Sequence, residues 1–91
     1  GYGNGFFGPE DTMSVEQAMV MIYRLFGSPK VTETGVLEQY KDASQLSPWA
    51  RDAVAWTITN KLLEPGDAIQ PQSPITMKAL RYAIGQIGMA D

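Results

Sequence analysis

The residue types that most enzymes use for catalysis are largely missing from this chain. It contains no histidine and no cysteine, which removes the commonest general base, the usual activator of a nucleophilic serine and the thiolate nucleophile. The remaining candidates for acid–base chemistry or cation binding are scattered carboxylates, at Glu10, Asp11, Asp42, Asp52, Glu64 and Asp67. Their spacing matches neither a calcium-binding EF-hand loop nor a catalytic pair. The sequence therefore predicts a non-enzymatic protein with no metal and no cofactor.

Aromatic and basic side chains offer a different chemistry, the binding of carbohydrate. Aromatic rings can stack on sugars, and cations can bind the acidic groups of a glycan; the residues concerned are Tyr2, Tyr23, Tyr82, Trp49, Trp56, Arg24, Arg51, Lys61 and Arg81. The alternative roles are structural, because aromatic residues at helical spacing commonly fill a core and basic residues commonly form surface ion pairs. Both alternatives stay open at this stage.

Length, charge and hydropathy narrow the possible partners. With 91 residues, 44% of them hydrophobic, the chain is long enough for one compact domain. Its net charge of −3 and pI of about 4.7 disfavour binding to nucleic acid or to anionic lipid. The longest apolar stretch, residues 18–23, is far shorter than the roughly 20 residues of a membrane span. The sequence begins at Gly1 without a signal-peptide pattern, and we expect it to be a portion of a longer protein.

The first predicted helix has clear start and stop signals. Ser14 and Gln17 form an S-x-x-Q capping box, and apolar residues then recur on one helical face as far as Phe26. Gly27 is suited to a left-handed C-terminal cap. The polar segment 28–39 that follows is predicted to be a linker with at most a short irregular turn.

Two further helices are predicted in the second half of the chain. Ser47 is placed as the N-cap of the second helix with Pro48 at its first position, and the apolar pattern continues to Leu63, before the Pro65-Gly66 stop. Thr76 is predicted to cap the third helix. The expected core is formed by apolar residues of these three helices and the loops before them: Phe7, Ile22, Trp49, Val54, Trp56, Leu80 and Ile84.

The regions around the first and third helices are related as an internal repeat. At a constant offset, Phe7-Gly8-Pro9 aligns with Ile69-Gln70-Pro71, Met13-Ser14 with Ile75-Thr76, and Ile22 with Ile84. A duplicated unit of turn, proline, capped start and apolar helix indicates a repeat architecture. The second helix precedes only the second copy, so the first copy lacks its own leading half.

These motifs resemble the S-layer homology family. Residues 40–56, YKDASQLSPWARDAVAW, are similar to the opening of its repeat, an aromatic-x-Asp followed by a Trp-Ala and Ala-Val helix. Residues 1–27 resemble its closing half, a Gly-rich loop, Phe-x-Pro, a capped helix and a terminal glycine. The resemblance implies an all-α fold, a small bundle of three main helices with long ordered loops. Residues 1–27 would be the second half of one unit, 28–39 a linker and 40–88 a complete unit, packed together as one domain.

The same resemblance implies an extracellular module that anchors a protein non-covalently on the bacterial cell wall by binding anionic secondary wall polysaccharide. On this hypothesis, the candidate glycan-binding residues are Ser14, Gln17, Trp49, Arg51, Thr76 and Lys78. The missing half unit should leave an apolar face on the first helix. We expect this face to meet the second helix of the same chain, another copy of the chain, or further units of the parent protein.

One departure from the family favours an alternative function. The family's closing helix starts with Thr-Arg-Ala-Glu, whose arginine is implicated in holding the anionic polymer, whereas residues 14–17 read SVEQ and residues 76–79 read TMKA. Val15 and Met77 occupy the arginine positions, and neither can replace the hydrogen bonds of a guanidinium. The alternative is a structural or protein-interaction module that has kept the fold without glycan binding.

Overall fold

The computed structural model describes residues 13–63 and 66–89 of the chain. Its main elements are three α-helices: α1 (Val15–Leu25), α2 (Arg51–Thr59) and α3 (Met77–Met89). Between α1 and α2 the chain forms three short 3-10 turns, at Gly35–Gln39, Ala43–Gln45 and Pro48–Ala50. The described ranges contain no β-strand, and an isolated antiparallel bridge joins Ser14 to Pro74. The prediction of a small all-α fold is confirmed.

Helix α1 begins and ends where the local signals predicted. The Ser14 hydroxyl accepts a hydrogen bond from the Gln17 N–H at 3.2 Å, and the Gln17 side-chain oxygen accepts one from the Ser14 N–H at 2.9 Å. Together they form the predicted capping box. At the other end Gly27 has a φ of 85°, the left-handed conformation that closes a helix and suits glycine.

Helix α2 ends earlier than predicted. Its last residue is Thr59, and the next residue, Asn60, closes the helix by donating from its side-chain amide to the Trp56 carbonyl at 2.8 Å. Lys61 then adopts a left-handed φ of 61°, which turns the chain before Pro65 is reached. The prediction of a Pro65-Gly66 stop was wrong because it followed the apolar pattern through Leu62 and Leu63, which belong to the following loop.

The start of α2 also differs from the prediction, whereas that of α3 agrees with it. Pro48–Ala50 forms a 3-10 turn ahead of α2, and the Ser47 side chain makes no capping hydrogen bond. By contrast, the Thr76 hydroxyl accepts the Ala79 N–H at 3.0 Å. Thr76 therefore caps α3, as the sequence indicated.

The core is formed by the facing surfaces of α1 and α2, with additional residues from the loops and from α3. Helix α1 packs on α2 and on the Pro48–Ala50 turn, and Ile22 and Val54 are buried at this contact. The apolar face of α1 is thus covered by α2 of the same chain, the first of the expected arrangements. Part of the predicted linker also enters the core, because Gly35–Gln39 packs on α2 and the side chain of Leu37 is fully buried.

Two residues predicted for the core are exposed. Trp49 is 59% exposed because it is the middle residue of a 3-10 turn in which the smaller Ala50 takes the inward position. Ile84 is 59% exposed because the adjacent Ala83 faces the core, and successive helical residues point about 100° apart. Of the other predicted core residues, Trp56 and Leu80 are half-buried, and Phe7 lies outside the described residues.

Candidate functional site

The two related cap regions lie side by side. The Ile75 N–H donates to the Met13 carbonyl at 2.8 Å, so that two residues equivalent in the repeat face each other. The Val15 and Glu16 N–H groups donate to the carbonyls of Ser73 and Pro71, at 2.9 and 3.0 Å. Because the first N–H groups of a helix lack partners within it, the loop before α3 completes the N-terminus of α1.

A buried carboxylate stands at the centre of this junction. Glu16 is only 3% exposed. Its Oε1 accepts the Ser47 N–H at 3.0 Å, and its Oε2 accepts the Ser47 hydroxyl at 2.6 Å. The Gln72 side-chain amide donates to the same Oε2 at a longer 3.4 Å and to the Gln45 carbonyl at 2.6 Å. Glu16 therefore ties α1 to the segment before α2 and to the loop before α3.

Sequence analysis did not identify Glu16 as a functional residue, although its spacing carries a signal. It lies three residues before Met19 and four before Val20, both of which are buried, so its side chain points to the inner side of α1. A carboxylate at such a position must find hydrogen-bond donors inside the protein. Its partner Ser47 is 31 residues away, and no local pattern identifies it.

A second buried carboxylate, Asp42, fixes the loop before α3. Its two oxygens accept the N–H groups of Ile69 at 2.9 Å and Gln70 at 2.7 Å. Asp42 precedes α2 in the sequence, but the N–H groups that it binds belong to a loop 27 and 28 residues further on. Gln70 has a positive φ of 54°, an uncommon conformation for a residue other than glycine, and the Asp42 carboxylate helps to hold it.

An open polar pocket of about 560 Å³ lies next to these contacts. It is lined by Lys41, Asp42, Gln45, Ala68, Gln70, Gln72, Ser73 and Pro74. Amide, hydroxyl, ammonium and carboxylate groups at its wall provide hydrogen-bond donors and acceptors, with one positive charge on Lys41 and one negative charge on Asp42. Both Asp42 oxygens already accept backbone N–H groups. The pocket therefore suits a ligand that is rich in hydroxyl groups.

The predicted glycan-binding residues fall into two groups. The side chains of Ser14, Gln17 and Thr76 make the capping hydrogen bonds of α1 and α3, and the Ser14–Pro74 bridge brings the two cap regions together. Trp49, Arg51 and Lys78 lie on outer surfaces, with Arg51 half-buried at the first position of α2 and Lys78 exposed in the first turn of α3. Trp49 is connected to the junction through Ser47 and Glu16.

The two positions that correspond to the family's arginine differ in environment. Val15 is buried, whereas Met77 is 58% exposed. An arginine at position 15 would have to bring its charge into the core, which is costly without a partner. In the first copy, the apolar residue at this position therefore agrees with its surroundings.

No metal site or unsatisfied polar group stands out in the part of the chain that the structure describes. Over residues 13–63 and 66–89, no three carboxylates cluster in a way that would hold a metal ion. In the same ranges every buried side-chain nitrogen and oxygen has a hydrogen-bond partner. None of the helices described there has the length and apolarity needed to cross a membrane.

Comparison with known proteins identifies one family. Residues 39–76 match the family model of the S-layer homology domain. The matched segment runs from the end of the Gly35–Gln39 turn to the cap of α3, and it contains Asp42, Ser47, Trp49 and the whole lining of the polar pocket. No curated protein and no solved structure matched the chain.

Proposed function

We propose that this chain binds an acidic polysaccharide of the bacterial cell wall through the surface around Trp49. Residues 39–76 form an S-layer homology domain, a type of module that anchors proteins at the cell surface. The observation that carries the proposal is the exposure of Trp49 on an ordered turn. Trp49 is 59% exposed, while Ser47 before it and Ala50 after it are held by Glu16 and by the core.

An exposed tryptophan held in this way suits binding to a sugar. Burying a large apolar side chain contributes roughly 1.5–3 kcal/mol of free energy. In the free protein most of the Trp49 surface is still exposed to solvent. A ligand that covers the indole would gain the free energy of burying this remaining surface. This is one reason why tryptophan is common among the residues that dominate binding energy. The flat face of the ring complements the C–H face of a pyranose.

Basic residues of the matched segment support an acidic ligand. Arg51 follows two residues after Trp49, and Lys41 lines the polar pocket. Charge-assisted hydrogen bonds from such cations to a carboxylate or phosphate are stronger than neutral ones. The overall charge of −3 opposes non-specific adhesion to an anionic polymer, so specific recognition has to come from these local groups.

Wall binding is testable by co-sedimentation with purified bacterial sacculi, with and without acid extraction of the secondary polymer. Wild-type protein is expected to sediment only with unextracted sacculi. Trp49→Ala should weaken binding by at least about tenfold. Leu25→Ala is the matched control, because Leu25 is also apolar and 72% exposed but lies at the end of α1. Equal binding of wild type and Trp49→Ala, or binding that survives extraction, would refute the proposal.

We also propose that residues 1–27 are the closing half of one unit, 28–39 a connecting segment and 40–88 a complete unit of the same domain. The pairing of Met13 with Ile75, which are equivalent in the repeat, supports this division. So does the contact of α1 with α2 across the boundary.

A second candidate function is a protein-interaction module without glycan binding. The exposure of Met77 and Ile84, which lie two turns apart on α3, favours it. Under this alternative, the wild-type chain would not sediment with sacculi at all, and a serine at either position would weaken binding to a protein partner. Sedimentation that depends on Trp49 and is unchanged in Met77→Ser would count against it.

A further inference from the structure

We propose that Glu16 is a positioning residue for the Trp49 surface. Its buried carboxylate holds Ser47 and thereby fixes the turn that presents the indole to a ligand. The ligand-binding part of this inference rests on the proposed function, whereas the effect of Glu16 on the indole does not. Residue 16 corresponds to the small alanine of Thr-Arg-Ala-Glu, so the carboxylate is a feature of this chain.

The geometry around Ser47 leaves the turn little freedom. The backbone N–H and the hydroxyl of Ser47 donate to different oxygens of Glu16, at 3.0 and 2.6 Å. Ser47 has φ −66° and ψ 143°, the extended conformation that a following proline favours. Pro48 has its own φ restricted by its ring. A carboxylate on α1 thus determines where the chain enters the turn.

The other end of the turn is held by the core. Ala50 is fully buried, and its N–H donates to the Ser47 carbonyl at 2.9 Å. Of the three residues in the turn, Pro48 and Trp49 are the exposed ones. With both ends fixed, the backbone direction at Trp49 is set, and so is the direction in which the side chain leaves the turn, before a ligand arrives. Such preorganisation reduces the ordering cost of binding.

The same carboxylate also reaches the polar pocket. Gln72 lines that pocket and donates to Glu16 Oε2 and to the Gln45 carbonyl. Gln45 is itself part of the pocket wall, two residues before Ser47. Glu16 therefore links the indole and the pocket to one rigid helix, which would keep the two at a constant separation.

The stability of the fold does not by itself explain why a carboxylate is buried at position 16. Burying a charge costs desolvation energy, and well-packed apolar groups often serve stability as well or better. A carboxylate with three donors does provide a specific arrangement, because each hydrogen bond fixes a direction. We therefore assign Glu16 to the placement of Ser47 and Trp49.

The test combines Glu16→Ala, Glu16→Gln, Ser47→Ala and Trp49→Ala in the full chain, with sacculus affinity as the first readout. Glu16→Ala is expected to weaken binding about tenfold, and the double variant with Trp49→Ala is expected to lose clearly less than the product of the two single losses, because both changes affect the Trp49 contact. Losses that multiply in the double variant would overturn the proposal. If Glu16→Ala does not fold, Ser47→Ala, which removes only the hydroxyl donor, supports the same comparison.

Trp49 fluorescence provides a readout that does not depend on wall binding. In a Trp56→Phe background, the emission of Trp49 and its quenching by acrylamide should change in Glu16→Ala and stay unchanged in Glu38→Ala. Glu38 is the matched control, an exposed carboxylate on another 3-10 turn. Unchanged quenching in Glu16→Ala would overturn the inference even if wall binding is confirmed. Wall binding that is insensitive to Trp49→Ala, together with altered quenching in Glu16→Ala, would refute the proposed function and leave the positioning role intact.

Discussion

Replacing Asp42 by alanine should destabilise the fold more than any change at an exposed carboxylate. The Asp42 oxygens accept two backbone N–H groups, from Ile69 and Gln70. A hydrogen bond to a charged group contributes about 1.5–3 kcal/mol. The Ile69 N–H is buried and would lose its partner outright, whereas Gln70 is exposed and its N–H can bind water instead. The expected loss is therefore about 2–4 kcal/mol.

Urea and thermal denaturation followed by circular dichroism would measure this loss. For a domain of this size, about 2 kcal/mol corresponds to a decrease in Tm of at least about 8 °C. Asp67→Ala is the control, because Asp67 is exposed in the same loop region, and a change there should stay within about 0.5 kcal/mol. Asp42→Asn should also destabilise, since an amide offers one acceptor and opposes the second N–H with its own donor. A loss below about 1 kcal/mol in Asp42→Ala would refute the reasoning.

Three further changes test the packing and the caps by the same denaturation measurement. Leu37→Ala removes a fully buried side chain and should cost about 2–5 kcal/mol; a loss no larger than that of Leu25→Ala would contradict the core assignment. Ser14→Ala should cost about 1 kcal/mol by breaking the capping box of α1, and Ser14→Asp should restore most of it. Ile84→Ser should change stability by no more than about 0.5 kcal/mol because Ile84 is exposed, and a larger loss would show that the α3 face is covered in solution.

The features that the sequence predicted correctly are those governed by neighbouring residues. The caps at Ser14 and Thr76 involve side chains that bond to N–H groups three residues further on. Gly27 ends α1 for an equally local reason, its tolerance of a positive φ. In each case the signal and the structure it specifies lie within one helical turn.

The candidate site could not be predicted in the same way, because its contacts join distant parts of the chain. Glu16 bonds to Ser47, and Asp42 bonds to Ile69 and Gln70, across separations of 31, 27 and 28 residues. Ser47 before Pro48 matches the pattern of a helix cap, and only the approach of Glu16 explains why its hydroxyl bonds elsewhere. The local sequence indicates which side chains could form a helix cap, but tertiary contacts determine which hydrogen bond each side chain makes.

The repeat illustrates the difference between having an apolar face and burying it. Val15 and Ile22 on α1 are buried, Val15 beside the loop before α3 and Ile22 on the helix that packs on α2, whereas their equivalents Met77 and Ile84 on α3 are exposed. Duplication gave both helices a similar pattern, but one α2 can cover only one of the two faces. The prediction that both Ile22 and Ile84 are core residues is therefore wrong for Ile84. Because α3 directs Ala83 inward instead, a helix of this repeat has two usable apolar sides, and the neighbouring elements determine which side becomes core.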